Sequence, residues 1–258
     1  MKERGPILLN NMEEKIQLEG VRQNGLVIEF IKNPSEQVKL EAVKEDGYAI
    51  QFIKNPSEQL QLEAIRQNGC TIEYIDNPSE EVQLEAVKQD GHAIQYIDNP
   101  SEQVQLEAVR QNGYAIEYID NPSEQLQLEA VRQNENAIQY IDNPSEQVQL
   151  ETVKKYGNNI EYIENPSEQV QLEAIRQNGN AIQYIDNPSS YIKSIVDIIE
   201  TAYRTIYVLH EEDKEPLFTI GCQKNISKEY FLWRIYNMDG GLEARPYRQK
   251  YLNIINRY

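Results

Sequence analysis

Carboxylates return at a fixed interval along this chain. Asp76, Asp98, Asp120, Asp142, Glu164 and Asp186 stand 22 residues apart, and Lys32 and Lys54 precede them in the same register. Acidic groups at constant spacing can form a plain solvated edge, meet a basic protein surface, or imitate the phosphates of a nucleic-acid strand. Units packed like neighbouring helices would stand about 8–10 Å apart. That is close to the Debye length of about 10 Å at 0.1 M salt, so the field of one charge partly reaches the next. A second register varies in type: Leu26, Tyr48, Cys70, His92, Tyr114, Asn136, Asn158 and Asn180. It follows a glycine in most units and reads either as a tolerant exposed turn or as a ridge of differing contact residues, with Tyr48, His92 and Tyr114 the candidates. The pattern also breaks once, where Glu135 replaces the glycine and the next unit runs Thr152-Val153-Lys154-Lys155-Tyr156. Lys154, Lys155 and Tyr156 are therefore candidates for a contact spot at that turn, with drift as the plainer explanation.

Catalytic and metal chemistry have little to work with. His92 and His210 have no nucleophile or ligand at a recognisable spacing, and Cys70 and Cys222 are far apart in different contexts. A disulfide framework or zinc site is not expected from such cysteines. No phosphate-binding glycine loop is present. The expectation is a chain with no catalytic residues, no metal site and no cofactor, hence not an enzyme.

Positioning the registers is the task of a repeat. Asn-Pro-Ser recurs every 22 residues from Asn33 to Asn187, and Asn11 to Lys32 fits the same frame with Met12 in the proline place. Units therefore start at 11, 33, 55, 77, 99, 121, 143 and 165. In the unit at 99–120, Asn99 suits an N-cap, Pro100 the first helical position and Glu102 the capping-box position. Asn112-Gly113 reads as a C-cap with the glycine left-handed, so the spacing predicts a helix from Pro100 to Asn112. Val104, Leu106, Ala108 and Val109 give it a broad apolar arc. Gln105 lies inside that arc and is expected to hydrogen-bond neighbouring backbone. Glu107 and Arg110 are expected to pair on the solvated face, adding a few tenths of a kcal/mol, roughly, per pair. Ala115, Ile116 and Ile119 suit a short α or 3-10 turn, with Tyr118 packing toward the next unit. A strand over the same residues is the rival reading. The Leu register at 18–172 and the Phe or Tyr register at 30–184 read as core or stacking ladders. Glu and Gln alternate at 29, 51, 73, 95, 117, 139, 161 and 183, which suggests growth by duplication of paired units.

Gln103-Val-Gln-Leu-Glu-Ala-Val-Arg-Gln-Asn-Gly-Tyr-Ala-Ile resembles the E-V-V-L-x-A-V-x-x-N-G-x-A-L core of a family of short helical repeats of uncharacterised function. Leucine-rich-repeat variant proteins, with alternating α and 3-10 helices, are a looser likeness. The resemblance covers 11–186, implies a helical solenoid and brings no catalytic residues with it. The expected fold is mostly α: an α-solenoid of eight 22-residue helix–short-helix repeats over 1–186, with a small α+β capping or interaction domain at 187–258. In that domain the apolar pattern predicts a helix through Tyr191, Ile195, Ile198 and Ala202. A β-hairpin follows from Thr205–Leu209 and Leu217–Cys222. A helix around Tyr230 to Ile235 stops at Gly240-Gly241, and an amphipathic helix runs from Tyr247 to Tyr258. Arg245, Arg248, Lys250 and Arg257 there suit a phosphate, an acidic partner or plain solvation.

Charge separates the two parts. The net charge is -17, yet residues 187–258 hold 10 Lys/Arg against 9 Asp/Glu, which leaves the preceding residues at -18. An array so acidic is not expected to bind nucleic acid directly, because that affinity depends on cations neutralising phosphates. No apolar run approaches the roughly 20 residues that cross a bilayer, and the apolar stretch at Pro6–Leu9 is too short for a signal peptide. These features lead to the expectation of a cytoplasmic chain with reduced thiols and no membrane association. The leading functional expectation is a protein-binding scaffold whose partner has a basic surface. An acidic, nucleic-acid-mimicking inhibitor of a nucleic-acid-binding enzyme, such as a viral anti-defence protein, is the first alternative. A small enzyme or ligand-binding domain at the C-terminus is the second. Nothing in the sequence sets the oligomeric state.

Overall fold

The computed structural model describes residues 14–200, 205–220, 223–237 and 251–258. Outside them lie the expectations for Asn11 and Met12, Ala202, Cys222, the Gly240-Gly241 stop, Tyr247, and the cations Arg245, Arg248 and Lys250. The chain divides into two compact units, Met1–Asn134 and Glu135–Tyr258.

Every repeat is an α-helix followed by a 3-10 helix. The α-helices are α1 Glu14–Gln23, α2 Glu36–Glu45, α3 Glu58–Gln67, α4 Glu80–Gln89, α5 Glu102–Gln111, α6 Glu124–Gln133, α7 Glu146–Lys155 and α8 Glu168–Gln177. Each 3-10 helix begins at the register of the glycine and ends at the Phe or Tyr register, as in Gly113–Tyr118. The helical reading of this half is correct, and the strand alternative is not.

The helix start differs from the expected one by two residues. Ser101, not Asn99, is the N-cap of α5: its side chain accepts from the Val104 backbone N–H at 3.4 Å. Asn99 sits instead at φ 49°, and Asn55, Asn77, Asn121, Asn143 and Asn165 do the same. Asparagine tolerates the left-handed region better than other residues with a Cβ, so it makes the sharp turn and leaves capping to serine. The serine has a second bond, because Ser101 Oγ donates to Glu80 Oε1 of the preceding repeat at 2.5 Å and Ser79 Oγ to Glu58 Oε1 at 2.6 Å. Asn-Pro-Ser-Glu is thus a turn, a cap and an inter-repeat bond in four residues.

The far end of the helix also departs from expectation. Asn112 is extended at φ -148° and caps two helices at once: its backbone N–H bonds to Ala108 O, and its side chain accepts from Tyr114 N at 3.0 Å. Gly113 needs no left-handed freedom. It is glycine because a Cβ there would stand 2.7 Å from Ala130 O of the next repeat. The Gln register behaves as expected: Gln61, Gln83, Gln105, Gln127, Gln149 and Gln171 each donate to the proline carbonyl of their own repeat at 2.9–3.1 Å. A different glutamine, at the helix end, joins repeats. Gln67 accepts from Gly47 N at 2.9 Å and donates to Val43 O and Lys44 O at 2.5 and 2.9 Å.

In repeats 2 to 5 of the first unit the core is built from the same six positions per repeat. In repeat 5 they are Val104, Ala108, Val109, Ala115, Ile116 and Ile119. The Leu register is only half-buried, and the Phe or Tyr register is exposed, so neither is a core ladder. Tyr118 packs edge-on against His92, with centroids 5.9 Å apart, and therefore leans toward the preceding repeat rather than the next. The solvated ion pairs are of two kinds. Glu63–Arg66 and Glu173–Arg176 lie within one helix, whereas Arg22–Glu41 and Arg110–Glu129 join successive repeats.

The second unit holds the 3-10 helix Glu135–Tyr140, the last two repeats and the C-terminal elements. Helix α9 is short, Ser190–Ile195, and the chain then enters strand β1, Val196–Glu200, where a continued helix was expected. The run Ile195-Val196-Asp197-Ile198-Ile199 is rich in β-branched residues, which lose side-chain freedom in a helix and pack well on a pleated sheet. With β2 Thr205–Leu209, β3 Leu217–Ile220 and β4 Gln223–Ser227 it forms an antiparallel meander, of which only the β2–β3 hairpin was foreseen. Ile206, Val208, Phe218 and Ile220 on one sheet face pack with Phe231 of α10, Lys228–Asn237, and with Ile254 and Ile255 of the helical residues 251–255.

The other sheet face covers the last repeat by imitating a next one. Asn225 donates to Ile175 O at 3.0 Å and also to Arg176 O, and its Oδ1 accepts from Gly179 N at 3.2 Å. These are the bonds that Gln67 makes to Val43, Lys44 and Gly47. Arg176 likewise reaches Glu211 of the β2–β3 loop (2.9 Å from Nε), as Arg110 reaches the next repeat's Glu129.

Candidate functional site

The 3-10 helix sorts its residues by a period of three. Ile116 and Ile119 turn inward, which leaves Glu117, Tyr118 and Asp120 outside. Repetition brings these back once per repeat within each unit. The aromatic row is Phe30, Phe52, Tyr74, Tyr96 and Tyr118 in the first unit and Tyr140, Tyr162 and Tyr184 in the second, each 37–47% exposed. The sequence reading missed it as a surface, although Ile at a spacing of three was the signal that its neighbours face out. Beside it run Asp76, Asp98, Asp120, Asp142, Glu164 and Asp186, all exposed. The Tyr74 phenol is raised above its ordinary value chiefly by the charge of Glu73. The Tyr96 phenol is raised by partial burial and then by Glu73. Both causes keep the hydroxyls neutral beside the carboxylates.

Grooves lie between successive aromatics. One in the first unit has Phe52 and Tyr74 as walls, Pro56 and Gln61 at its base, and Lys54 and Asp76 on its rim. Its counterpart in the second unit, five repeats on, has Tyr162 and Tyr184, Pro166 and Gln171, with Glu161, Glu164 and Asp186 on the rim. Each encloses about 710 Å³. The base amides are satisfied by Pro56 O and Pro166 O at 3.0 and 2.9 Å, so the base is rigid.

The other candidates lie at the C-terminal end of the α-helix and touch the aromatic row: Tyr48 packs edge-on against Tyr74 with centroids 6.1 Å apart, as His92 does against Tyr118. Several residues of the variable register there bond to the next repeat. Tyr48 Oη accepts from Asn68 Nδ2 at 2.7 Å, the Cys70 thiol faces Asp90 at 3.5 Å, His92 Nε2 meets Asn112 Nδ2 at 2.8 Å and Asn158 Oδ1 accepts from Asn178 Nδ2 at 2.6 Å. These four turn residues thus pair with the double-capping residue of the next repeat. Burial, then Asp90, pushes the Cys70 thiol up to about 11. Tyr114 is half-buried in the same register.

At the break in the pattern, Lys155 stands where most other repeats have the joining glutamine and pairs with Glu135 at 3.5 Å. Glycine and glutamine have been exchanged together for an ion pair. The buried Asn159 adds bonds to Glu135 O and Asn136 Oδ1 at 2.9 and 3.0 Å. Tyr156 lies under Lys224 Nζ, 4.5 Å from the ring centroid, and Lys154 is exposed. The candidates thus comprise exposed carboxylates beside the aromatic row, turn residues that bond between repeats, and the exposed Lys154.

His210 packs against the Tyr258 ring and stands 3.5 Å from Asp197, to which Tyr258 also donates. Burial and the Asp197 hydrogen bond push the phenol up to about 12. Among the described residues, no group of three or more His, Cys, Asp and Glu is placed to hold a metal ion, and no helix is long and apolar enough to cross a membrane.

A family model described as a domain of unknown function (DUF4116) matches residues 57–101 and again residues 79–123. The two matches are displaced by one 22-residue repeat, so the model's own length takes in about two repeats of this array. No curated protein and no solved structure matches the chain. Over 57–123 the array is thus similar to a short repeat family of uncharacterised function.

Proposed function

We propose that this chain is a non-enzymatic scaffold that binds a protein with a basic surface along the acidic–aromatic edge. The observation that carries the reading is the exposure of a large aromatic in every repeat, beside a carboxylate in six consecutive ones. Exposed Phe and Tyr in a continuous row are unusual on a surface with no partner, whereas aromatic anchors within a polar rim are how interfaces gain most of their binding energy. The array's charge of -18 would steer a basic partner toward it.

The same acidic row favours a second reading, an inhibitor that imitates nucleic acid and occupies a nucleic-acid-binding enzyme. The two differ in what they need. A mimic rests on charge, so Asp98→Asn, Asp120→Asn and Asp142→Asn together should abolish binding, and Tyr→Ala substitutions in the row should spare it. The scaffold needs both rows, and raising salt should weaken its binding without removing it. Quantitative partner binding by the full chain and these two sets of variants, at low and high salt, decides between them. Binding indifferent to both sets would sink the scaffold as well as the mimic.

A further inference from the structure

The grooves have a chemistry more specific than an acidic surface. Two aromatic rings from consecutive repeats face a slot whose base is already hydrogen-bonded and whose rim is carboxylate. A long cationic side chain matches all three features. Its methylenes lie along the rings, its charge meets their negative faces, and the rim accepts its hydrogen bonds. The molecule already contains one lysine over a tyrosine ring, Lys224 on Tyr156, which shows the contact to be compatible with this chain's packing. An acidic or apolar side chain fits less well: the first meets Glu161, Glu164 and Asp186, and the second leaves them without counter-charge.

Spacing then constrains the ligand's backbone. The residue registers that line each groove recur every 22 residues, so within one unit successive grooves would follow at the repeat interval, about 8–10 Å for packed helices. Three residues of extended chain cover about 10 Å. Resting on the scaffold reading above, we infer that the acidic–aromatic surface within a unit takes an extended peptide with Lys or Arg at every third position, one cation per groove. The rim grades the sites. The groove of Phe52 and Tyr74 carries Lys54 against Asp76, while that of Tyr162 and Tyr184 carries three carboxylates and no cation. The second is the strong site and the first is an internal control.

The test uses the full chain and two labelled synthetic peptides of equal composition, one with lysine at every third position and one with its lysines contiguous. Fluorescence anisotropy should show tighter binding of the periodic peptide. Tyr162→Ala with Tyr184→Ala should weaken it about tenfold, and the Tyr→Phe pair should leave it within about twofold, since the ring and not the hydroxyl makes the contact. Glu164→Gln should weaken binding and flatten its salt dependence. Lys54→Asp should strengthen it by adding a site. All of these side chains are exposed, and circular dichroism would verify that the helices persist. Equal affinity for the two peptides, or indifference to Tyr→Ala, would overturn the inference in favour of diffuse charge attraction. Failure of both peptides to bind would overturn it too, yet leave the scaffold reading to its own test with the protein partner.

Discussion

Gly113 is the residue whose role changed most between sequence and structure. A glycine after a helix suggests a left-handed cap, but here the constraint is the approach of the next repeat: an added Cβ would meet Ala130 O at 2.7 Å and Asn134 Cβ at 3.0 Å. Those are a backbone atom and an atom fixed by its cap, so neither can yield cheaply. Gly113→Ala should therefore cost about 1–3 kcal/mol, as overpacking does, less a few tenths to about 1 kcal/mol regained from the stiffer unfolded chain. Glu135→Gly should move stability by no more than about 1 kcal/mol, because it removes only an exposed ion pair with Lys155. Urea melts of the two variants check the contrast, and equal losses would contradict it. Residue type announced that these positions were special. It did not say why, because a contact with a neighbouring repeat leaves no local periodicity to read.

At the scale of elements, the legible parts were those ruled by local rules: an α-helix per repeat, a short second helix, the Gln register bonded to backbone, helix α10 and a hairpin at β2–β3. Asn and Ser are both good caps, so the pattern could not decide between Asn99 and Ser101; the left-handed turn decided it. Strand β1 was missed because Ile195, Ile198 and Ile199 satisfy a helical stripe as well as a strand, and only pairing with β2 selects the strand. Strand β4 is too polar to announce itself, yet its Asn225 closes the last repeat. The loop between β2 and β3 supplies Glu211 to the same end, where the hydrogen bond from Arg176, with help from Lys214, holds its carboxyl down to about 2 against an ordinary 4.5. A folded value below the unfolded one means stability that is complete above about 4.5 and lost as pH falls toward about 2. Glu211→Gln should lower the melting temperature at neutral pH and make it less sensitive to acid in that window. A melting curve that responds to acid exactly as the parent does would contradict the assignment.

For the whole molecule, repetition has a consequence that no single repeat shows. The bonds between repeats fall mostly at the helix ends, so the turn register that looked variable is occupied by matched pairs such as Tyr48–Asn68 and Asn158–Asn178. Variation there is constrained by the next repeat, whereas the aromatic row is uniform and open. Of the candidates, Asp76 to Asp186 are exposed beside the aromatic row of their own units, while Tyr48, His92, Lys155 and Tyr156 also make contacts within the chain. The most direct measurement is the affinity of the full chain for its protein partner, compared with a Tyr96→Ala, Tyr118→Ala, Tyr162→Ala variant and with a variant of the exposed Lys154 of α7, Lys154→Ala. The account predicts binding reduced at least about tenfold by the first and unchanged by the second. Full binding by the aromatic variant, or loss through Lys154 alone, would contradict it.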